Sequence, residues 1–349
     1  MHRTLAALLA SRPVQRLNDA LLLQPFAAEQ VCMDVPAASV GRLVAIGSLA
    51  SAAVMSDRAL LTQLLCQASA FGHPVALQWN ALASDSLLLM AQFGEREAGR
   101  VCMFRVVHDG EPLLEPSFTL RLRSTGSVWC SAWHPLRTDA FAAGGSGRAF
   151  FCVADGGAAR VRELASDKSD VFCVAFDAGG TIVHHGARDG NVRTVDLRAG
   201  PPAVASHLPL LHHGGSVSSI AVESSYELLV ASHSGVLQRW DVRSCRAATE
   251  TFVCPMHNPL TKLAMATTTD ILNPQTAGMQ LLAAGSSDGF VHLWSLKRGG
   301  GESRPLRSIA VGMNLPVTAL KFDDTSSSSA ALTSLWVQTR TTGVVKVQI

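Results

Sequence analysis

The fold is decided by one stretch, Ala231-Ser-His-Ser-Gly-Val-Leu-Gln-Arg-Trp-Asp-Val-Arg243. It contains the end of an apolar run, a turn of small residues that ends in glycine, and a short strand-like segment closed by Trp-Asp. The same order of residue types occurs at 284–297 and at 186–198. A segment that returns along the chain in this way indicates a repeat protein.

The spacing of the repeats indicates their architecture. The turn glycines of successive copies stand 43, 45, 54 and 54 residues apart, at Gly147, Gly190, Gly235, Gly289 and Gly343. A propeller blade of four short strands takes about 40–45 residues, and a Trp-Asp pair closes one of its strands. Surface loops accept insertions at small cost, which explains the two longer intervals. We therefore predict an all-β fold, a WD-repeat β-propeller.

The two ends of the chain predict how the ring closes. Closing strands are expected near positions 52, 103, 150, 194, 239, 293 and 346, which predicts seven blades. The last segment, 344–349, would be the third strand of its blade, so we expect a segment within residues 12–24 to supply the fourth strand and remove an exposed edge. The predicted division is an N-terminal segment, 1–24, with a short helix, a closing strand or both, and a propeller, 25–349.

Composition narrows the class of protein. The chain is 48% apolar and 16% charged, which is enough material for a large core. No apolar run reaches the roughly 18 residues that cross a bilayer, so no membrane partner is expected. The net charge is only +2, so the chain does not have the excess of basic residues that nucleic-acid binders show, and no nucleic-acid partner is expected.

Cysteine usage and the first residues bear on the compartment. The eight cysteines include no C-x-x-C pair, which argues against a disulfide framework or a structural zinc site. A reducing compartment, the nucleus or the cytoplasm, is expected. The chain has no acidic residue before Asp19, which leaves a mitochondrial transit peptide as a minor alternative to a docking helix or a disordered start.

A search for catalytic signatures finds no phosphate loop, dinucleotide fingerprint, zinc-protease helix or nucleophile elbow. The histidine pairs are His184-His185 and His212-His213. Adjacent residues of a strand point to opposite faces, so neither pair presents both rings to one metal. We predict a non-enzymatic protein without cofactor or metal; the alternative is an enzyme with its active site in the central channel.

The ends of two neighbouring strands carry an Asp-x-Arg sequence. In a propeller, Trp240 would fill the core between blades and Asp241 would hold the turn, whereas Arg243 lies past the strand end and has no structural reason to be an arginine. The preceding copy ends in Asp196-Leu-Arg198, which places the two pairs on adjacent blades and on the same rim. Two planar donors side by side suit the carboxylates and carbonyls of a protein partner.

Tandem Asp-x-Arg endings on consecutive blades resemble those of the WD-repeat substrate receptors that dock onto the damaged-DNA-binding adaptor of cullin-4 RING ubiquitin ligases. Within that family the similarity is to the WD-repeat protein 21 type, and it extends over about residues 165–300 with the order of three blades preserved. Val195 stands where the family has an aromatic residue, and the third blade departs from the motif at Ser295 and Lys297.

The resemblance implies that the chain is a non-enzymatic receptor, monomeric within a larger complex. The residues implied to contact the adaptor are Asp196, Arg198, Trp240, Asp241 and Arg243. Another face of the ring would capture a substrate protein or peptide, which no motif identifies. The alternative is a general WD-repeat scaffold subunit of another multiprotein complex.

Overall fold

Repeated short strands build the whole of the described structure. The computed structural model describes residues 14–15, 30–34, 44–48, 51–55, 60–65, 73–83, 87–93, 99–107, 113–122, 126–155, 158–166, 169–199, 211–212, 215–244, 246–255, 258–267, 280–296, 301–312, 314–323, 334–340 and 343–348. Within these residues the strands form seven antiparallel sheets, one of which gains an additional parallel strand. No described helix is long and apolar enough to cross a bilayer.

The first three sheets in chain order are numbered 1 to 3. Sheet 1 contains β2 (Gln30–Asp34), β3 (Val44–Ser48), β4 (Ser51–Met55) and β5 (Leu60–Leu65). Sheet 2 contains β6 (His73–Trp79), β7 (Leu87–Phe93), β8 (Gly99–Val107) and β9 (Leu113–Leu122). Sheet 3 contains β10 (Val128–Trp133), β11 (Ala140–Gly145), β12 (Arg148–Asp155) and β13 (Ala158–Ser166).

The remaining sheets follow the same order of strands. Sheet 4 contains β14 (Val171–Phe176), β15 (Ile182–Ala187), β16 (Asn191–Asp196) and β17 (Leu211–His212). Sheet 5 contains β18 (Val217–Val222), β19 (Glu227–Ser232), β20 (Leu237–Asp241), β21 (Glu250–Phe252) and the added strand β25 (Gly301–Ser303). Sheet 6 contains β22 (Leu260–Thr267), β23 (Gln280–Ser286), β24 (Phe290–Ser295) and β26 (Arg307–Ala310).

Sheet 7 joins the two ends of the chain. It contains β27 (Val317–Asp323), β28 (Ser334–Thr339), β29 (Gly343–Gln348) and β1 (Val14–Gln15), with Val14 opposite Val347. The predicted pairing of an N-terminal strand with the last sheet is confirmed. The other residues of the predicted segment 1–24 lie outside the described part of the chain.

The sheets pack in a closed ring. The first strand of each sheet contacts the first strand of the next, and β27 of sheet 7 contacts β2 of sheet 1. All seven predicted closing strands fall in the third strand of a sheet. The all-β propeller prediction is therefore confirmed, and the turn glycines Gly147, Gly190, Gly235 and Gly289 have the left-handed φ values, 69° to 86°, expected of tight turns.

Neighbouring sheets come into close contact at a glycine that is the last but one residue of a second strand. A Cβ added to Gly186 would lie 2.4 Å from Cγ1 of Val217, the first residue of sheet 5, and 2.7 Å from Sγ of Cys173. Gly144 and Gly285 face the first valine of the following sheet in the same way. The absence of a side chain at this position lets each sheet pack directly on the next.

The core lies between the sheets and contains the buried cysteines and histidines. Five described cysteines are free thiols in this core, where burial raises their pKa; these are Cys102, Cys130, Cys152, Cys173 and Cys254. His184 is buried, with Nδ1 2.8 Å from Oγ1 of Thr194. Side chains of the second pair, His212-His213, lie outside the described residues.

Candidate functional site

The Asp-x-Arg sequences lie on one end of the ring. Consecutive strands of a sheet run antiparallel, so the connection between strands 1 and 2 and that between strands 3 and 4 emerge at the same end. Backbone hydrogen bonds join these connections, from Leu197 N to Thr181 O and from Val242 N to Tyr226 O, both 2.8 Å. We name this end the Asp-Arg face; its described connections include 80–83, 134–139, 177–181, 197–199, 223–226 and 242–244.

In sheet 4, Arg198 folds back onto Asp196. The backbone N–H of Arg198 donates to Oδ1 of Asp196 at 2.9 Å, while Nε and Nη2 of its guanidinium donate to Oδ1 and Oδ2 at 2.9 and 2.6 Å. Hydrogen bonds from Arg198 lower the pKa of the Asp196 carboxyl, so the pair stays ionised at neutral pH. Arg162 of sheet 3 donates to Leu197 O at 2.7 Å, which fixes this connection to the neighbouring sheet.

In sheet 5, Arg243 repeats this geometry and adds an aromatic contact. Its backbone N–H and Nε donate to Oδ1 of Asp241 at 2.9 and 3.0 Å, and Nη2 donates to Oδ2 at 2.7 Å. These hydrogen bonds lower the pKa of Asp241. The guanidinium also lies over the ring of Tyr226, 4.4 Å from its centroid, in a cation–π contact. The plane of this guanidinium is therefore fixed from two directions.

Both arginines keep one edge of the guanidinium available. The Asp carboxylate occupies the edge formed by Nε and Nη2, whereas Nη1 of Arg198 and of Arg243 makes no hydrogen bond to any residue that the structure describes. The side chains of Arg198 and Arg243 are 69% and 63% exposed. The Nη1–Nη2 edge of each can therefore form two parallel hydrogen bonds to a carboxylate or to carbonyl oxygens.

Trp240 lies beneath this face rather than on it. Its side chain is buried in the cluster that contains Val217, Leu228 and Val230. Val195, its counterpart in sheet 4, is buried in the same way between sheets 3 and 4. Trp240 is thus placed as a packing residue that supports Asp241 and Arg243, while the two aspartates and two arginines are the part of the predicted site that reaches the surface.

Sequence reasoning missed Tyr226 and Arg162. Tyr226 is the single tyrosine of the chain and follows two serines, and no motif in the sequence indicates that it contacts Arg243. Arg162 belongs to a different sheet from the motif that it supports. Among the described residues, no three His, Cys, Asp or Glu side chains are grouped so that they could hold a metal.

Comparisons with known proteins identify the fold. No protein-family model matches the chain, and no curated protein does. Among solved structures, 1593 chains match, so the likeness does not single out one function. One is the crystal structure of the Myceliophteria thermophila Cps50 (Swd1) β-propeller domain, with 14% identity, a TM-score of 0.69, and coverage of 97% of this chain and 100% of that chain. At this identity the likeness concerns the fold, and the chain has the fold of a β-propeller domain.

Proposed function

We propose that this chain is a non-enzymatic protein-interaction scaffold that docks onto a partner through its Asp-Arg face. The observation that carries the proposal is the pair of matching guanidinium groups on adjacent sheets, each with its outer edge exposed. Because the same Asp–Arg geometry is built twice, each of two adjacent sheets presents one arginine whose donors are held in place by its aspartate. Such an arrangement favours a partner with acidic side chains or exposed carbonyls at a matching spacing.

Pre-organisation supports the same conclusion. An arginine loses rotamer freedom when it binds, and this entropic cost weakens association. Here Asp196 and Asp241 already hold the arginines in one conformation, and Tyr226 supports the second. The aspartates also neutralise most of the positive charge, so geometry rather than long-range attraction would select the partner.

The partner that we propose is the damaged-DNA-binding adaptor of cullin-4 RING ubiquitin ligases, on the basis of the resemblance of residues 165–300 to its WD-repeat receptors. In that role the chain works in the nucleus or the cytoplasm, and a further face of the ring holds a substrate. The scaffold would bring a lysine of the substrate close to the charged conjugating enzyme, which makes ubiquitin transfer effectively intramolecular.

Affinity purification from cells, with mass spectrometry of the partners, tests this role. The wild-type chain should recover the adaptor and cullin-4, and the Arg198→Ala/Arg243→Ala double variant should recover neither. Arg188→Ala is a matched control, because Arg188 is also an exposed arginine near an aspartate, Asp170, but lies in a connection between strands 2 and 3, at the opposite end of the ring. Recovery of the adaptor by the double variant would remove the proposal. A different stable set of partners would favour a general scaffold of another complex.

A further inference from the structure

Exposed apolar side chains of the described residues concentrate on the Asp-Arg face. Four large hydrophobic residues are strongly exposed, namely Leu82, Leu136, Val161 and Tyr226. Three of them lie in connections between strands 1 and 2, those of sheets 2, 3 and 5, and hence at the end of the ring that bears Arg198 and Arg243. Arginine and tyrosine are enriched among the residues that contribute most to the binding energy of an interface, and an exposed leucine beside an arginine adds apolar area that a partner can bury.

Leu136 is followed by an arginine with the same geometry as the two already described. Nε and Nη2 of Arg137 donate to Oδ1 and Oδ2 of Asp139 at 2.9 and 2.7 Å. Nη1 of Arg137 makes no hydrogen bond within the described part of the chain, so its outer edge is also available. The order here is Arg-x-Asp instead of Asp-x-Arg, which is why the sequence pattern does not reveal it.

The turn that holds Leu136 and Arg137 is fixed against the next sheet. Nδ1 of His134 accepts a hydrogen bond from the Leu136 N–H at 3.1 Å, and its ring lies 5.2 Å from that of Phe176 in sheet 4. The His134 ring also covers Gly180, where an added Cβ would lie 2.1 Å from Cε1 of His134. A partner therefore meets Leu136 on a surface that is already ordered.

This turn is continuous with the Arg198 connection. Gly180, which His134 covers, precedes Thr181, and Thr181 O accepts the hydrogen bond from Leu197 N. Arginines that bind an aspartate through Nε and Nη2 thus lie on three consecutive sheets, at Arg137, Arg198 and Arg243. An exposed apolar side chain lies beside the first and the last of them, Leu136 and Tyr226 respectively.

We propose that Leu136 and Arg137 form a third anchor of the docking site, so that one partner spans sheets 3 to 5. This inference rests on the proposed function and assigns the chemistry of the partner surface more closely. That surface should present a carboxylate or carbonyl group to each arginine and an apolar contact to Leu136, and the adaptor is the partner to which we assign it.

The test is a titration of the purified full-length chain against the purified adaptor. Leu136→Ala and Arg137→Ala are each expected to weaken binding about 5- to 30-fold. Val161→Ala and Arg160→Ala are matched controls, because these residues are exposed on the outer strand β13 of the same sheet, and they should leave binding unchanged. Circular dichroism and the unfolding midpoint show whether each variant is folded.

The possible outcomes separate the two proposals. If Arg198→Ala/Arg243→Ala abolishes binding while Leu136→Ala and Arg137→Ala bind like the wild type, the third anchor is wrong and the proposed function stands. Equal weakening by Val161→Ala and Arg160→Ala would also overturn the third anchor, because the effect would not belong to this face. Failure of the wild-type chain to bind the adaptor would overturn both.

Discussion

Replacing Arg239 with methionine tests the packing that supports the Asp-Arg face. Arg239 lies in β20, the strand that leads into the connection bearing Arg243. Its backbone carbonyl accepts hydrogen bonds from both N and Oγ1 of Thr249, at 2.9 and 3.2 Å. Its guanidinium bridges two glutamates, with Nε 2.7 Å from Oε2 of Glu223 and Nη1 hydrogen-bonded to Glu250. The side chains are 5%, 8% and 3% exposed for Arg239, Glu223 and Glu250, so this cluster is shielded from water.

The expected cost follows from that burial. Removing the cation of a buried ion pair leaves an uncompensated charge and typically costs about 3–5 kcal/mol. Here two carboxylates lose the same cation, and the contact of the guanidinium with the ring of Phe252, 5.7 Å from its centroid, is lost as well. We therefore expect Arg239→Met to lower the free energy of unfolding by at least about 3 kcal/mol.

Neutralising all three side chains of this cluster should lower the free energy of unfolding far less than removing the arginine alone. The triple variant Arg239→Met/Glu223→Gln/Glu250→Gln removes all three charges, and replacing a complete buried ion cluster is often close to neutral. The triple variant should regain at least about half of the unfolding free energy that Arg239→Met alone loses.

Urea denaturation followed by tryptophan fluorescence measures these free energies. Arg160→Met is the matched control, because Arg160 forms an exposed pair with Asp155 at 3.6 Å, and it should cost less than about 0.5 kcal/mol. The reasoning is refuted if Arg239→Met costs no more than this control, or if the triple variant is less stable than the single one.

Three further predictions concern packing, pH and closure. Gly186→Ala should cost about 1–3 kcal/mol of unfolding free energy, because the added Cβ would overlap the first valine of sheet 5, whereas Gly126→Ala, with nothing within 4 Å, should change little; equal effects in urea denaturation would contradict this. Burial lowers the pKa of His184 to about 4 and of His185 to about 3. Below about pH 6.5 these histidines therefore bind protons in the unfolded chain but not in the folded one, and the unfolding midpoint should fall as the pH drops. A variant without both histidines should show a smaller fall of the midpoint with pH, and an unchanged fall would count against this cause. Deletion of residues 1–20 removes the strand paired with β29 and should lower the thermal midpoint and increase light scattering; unchanged values would show that this pairing contributes little.

The repeated elements of the fold could be predicted from the sequence because each has a local cause. Positive φ at the turn between strands 2 and 3 requires glycine, and among the described residues it recurs in sheets 3 to 6, at Gly147, Gly190, Gly235 and Gly289. The closing role of β1 followed from counting strands in the last sheet. Such features depend on a few neighbouring residues, so they can be read from spacing alone.

The remaining features depend on contacts between distant segments. Strand β25 pairs in parallel with β21 of the preceding sheet, and Ser303 reaches Glu250 there, which no repeat pattern encodes. The sequence indicated Arg243 as a surface residue, but its return onto Asp241 and its contact with Tyr226 depend on the fold. For Trp240 the repeat pattern predicted a place in the core and the resemblance implied contact with the adaptor, and the structure buries its side chain.

The most direct test of the central claim is the affinity of the purified chain for the purified adaptor, measured by calorimetry. Wild type and Arg188→Ala should bind equally, and Arg198→Ala/Arg243→Ala should bind at least about 100-fold more weakly, because two bidentate contacts are lost. Arg198→Lys/Arg243→Lys should fail similarly, since lysine keeps the charge but lacks the planar fork. Wild-type affinity in either double variant, with the fold intact, would show that the Asp-Arg pairs are structural and that docking, if any, uses another surface.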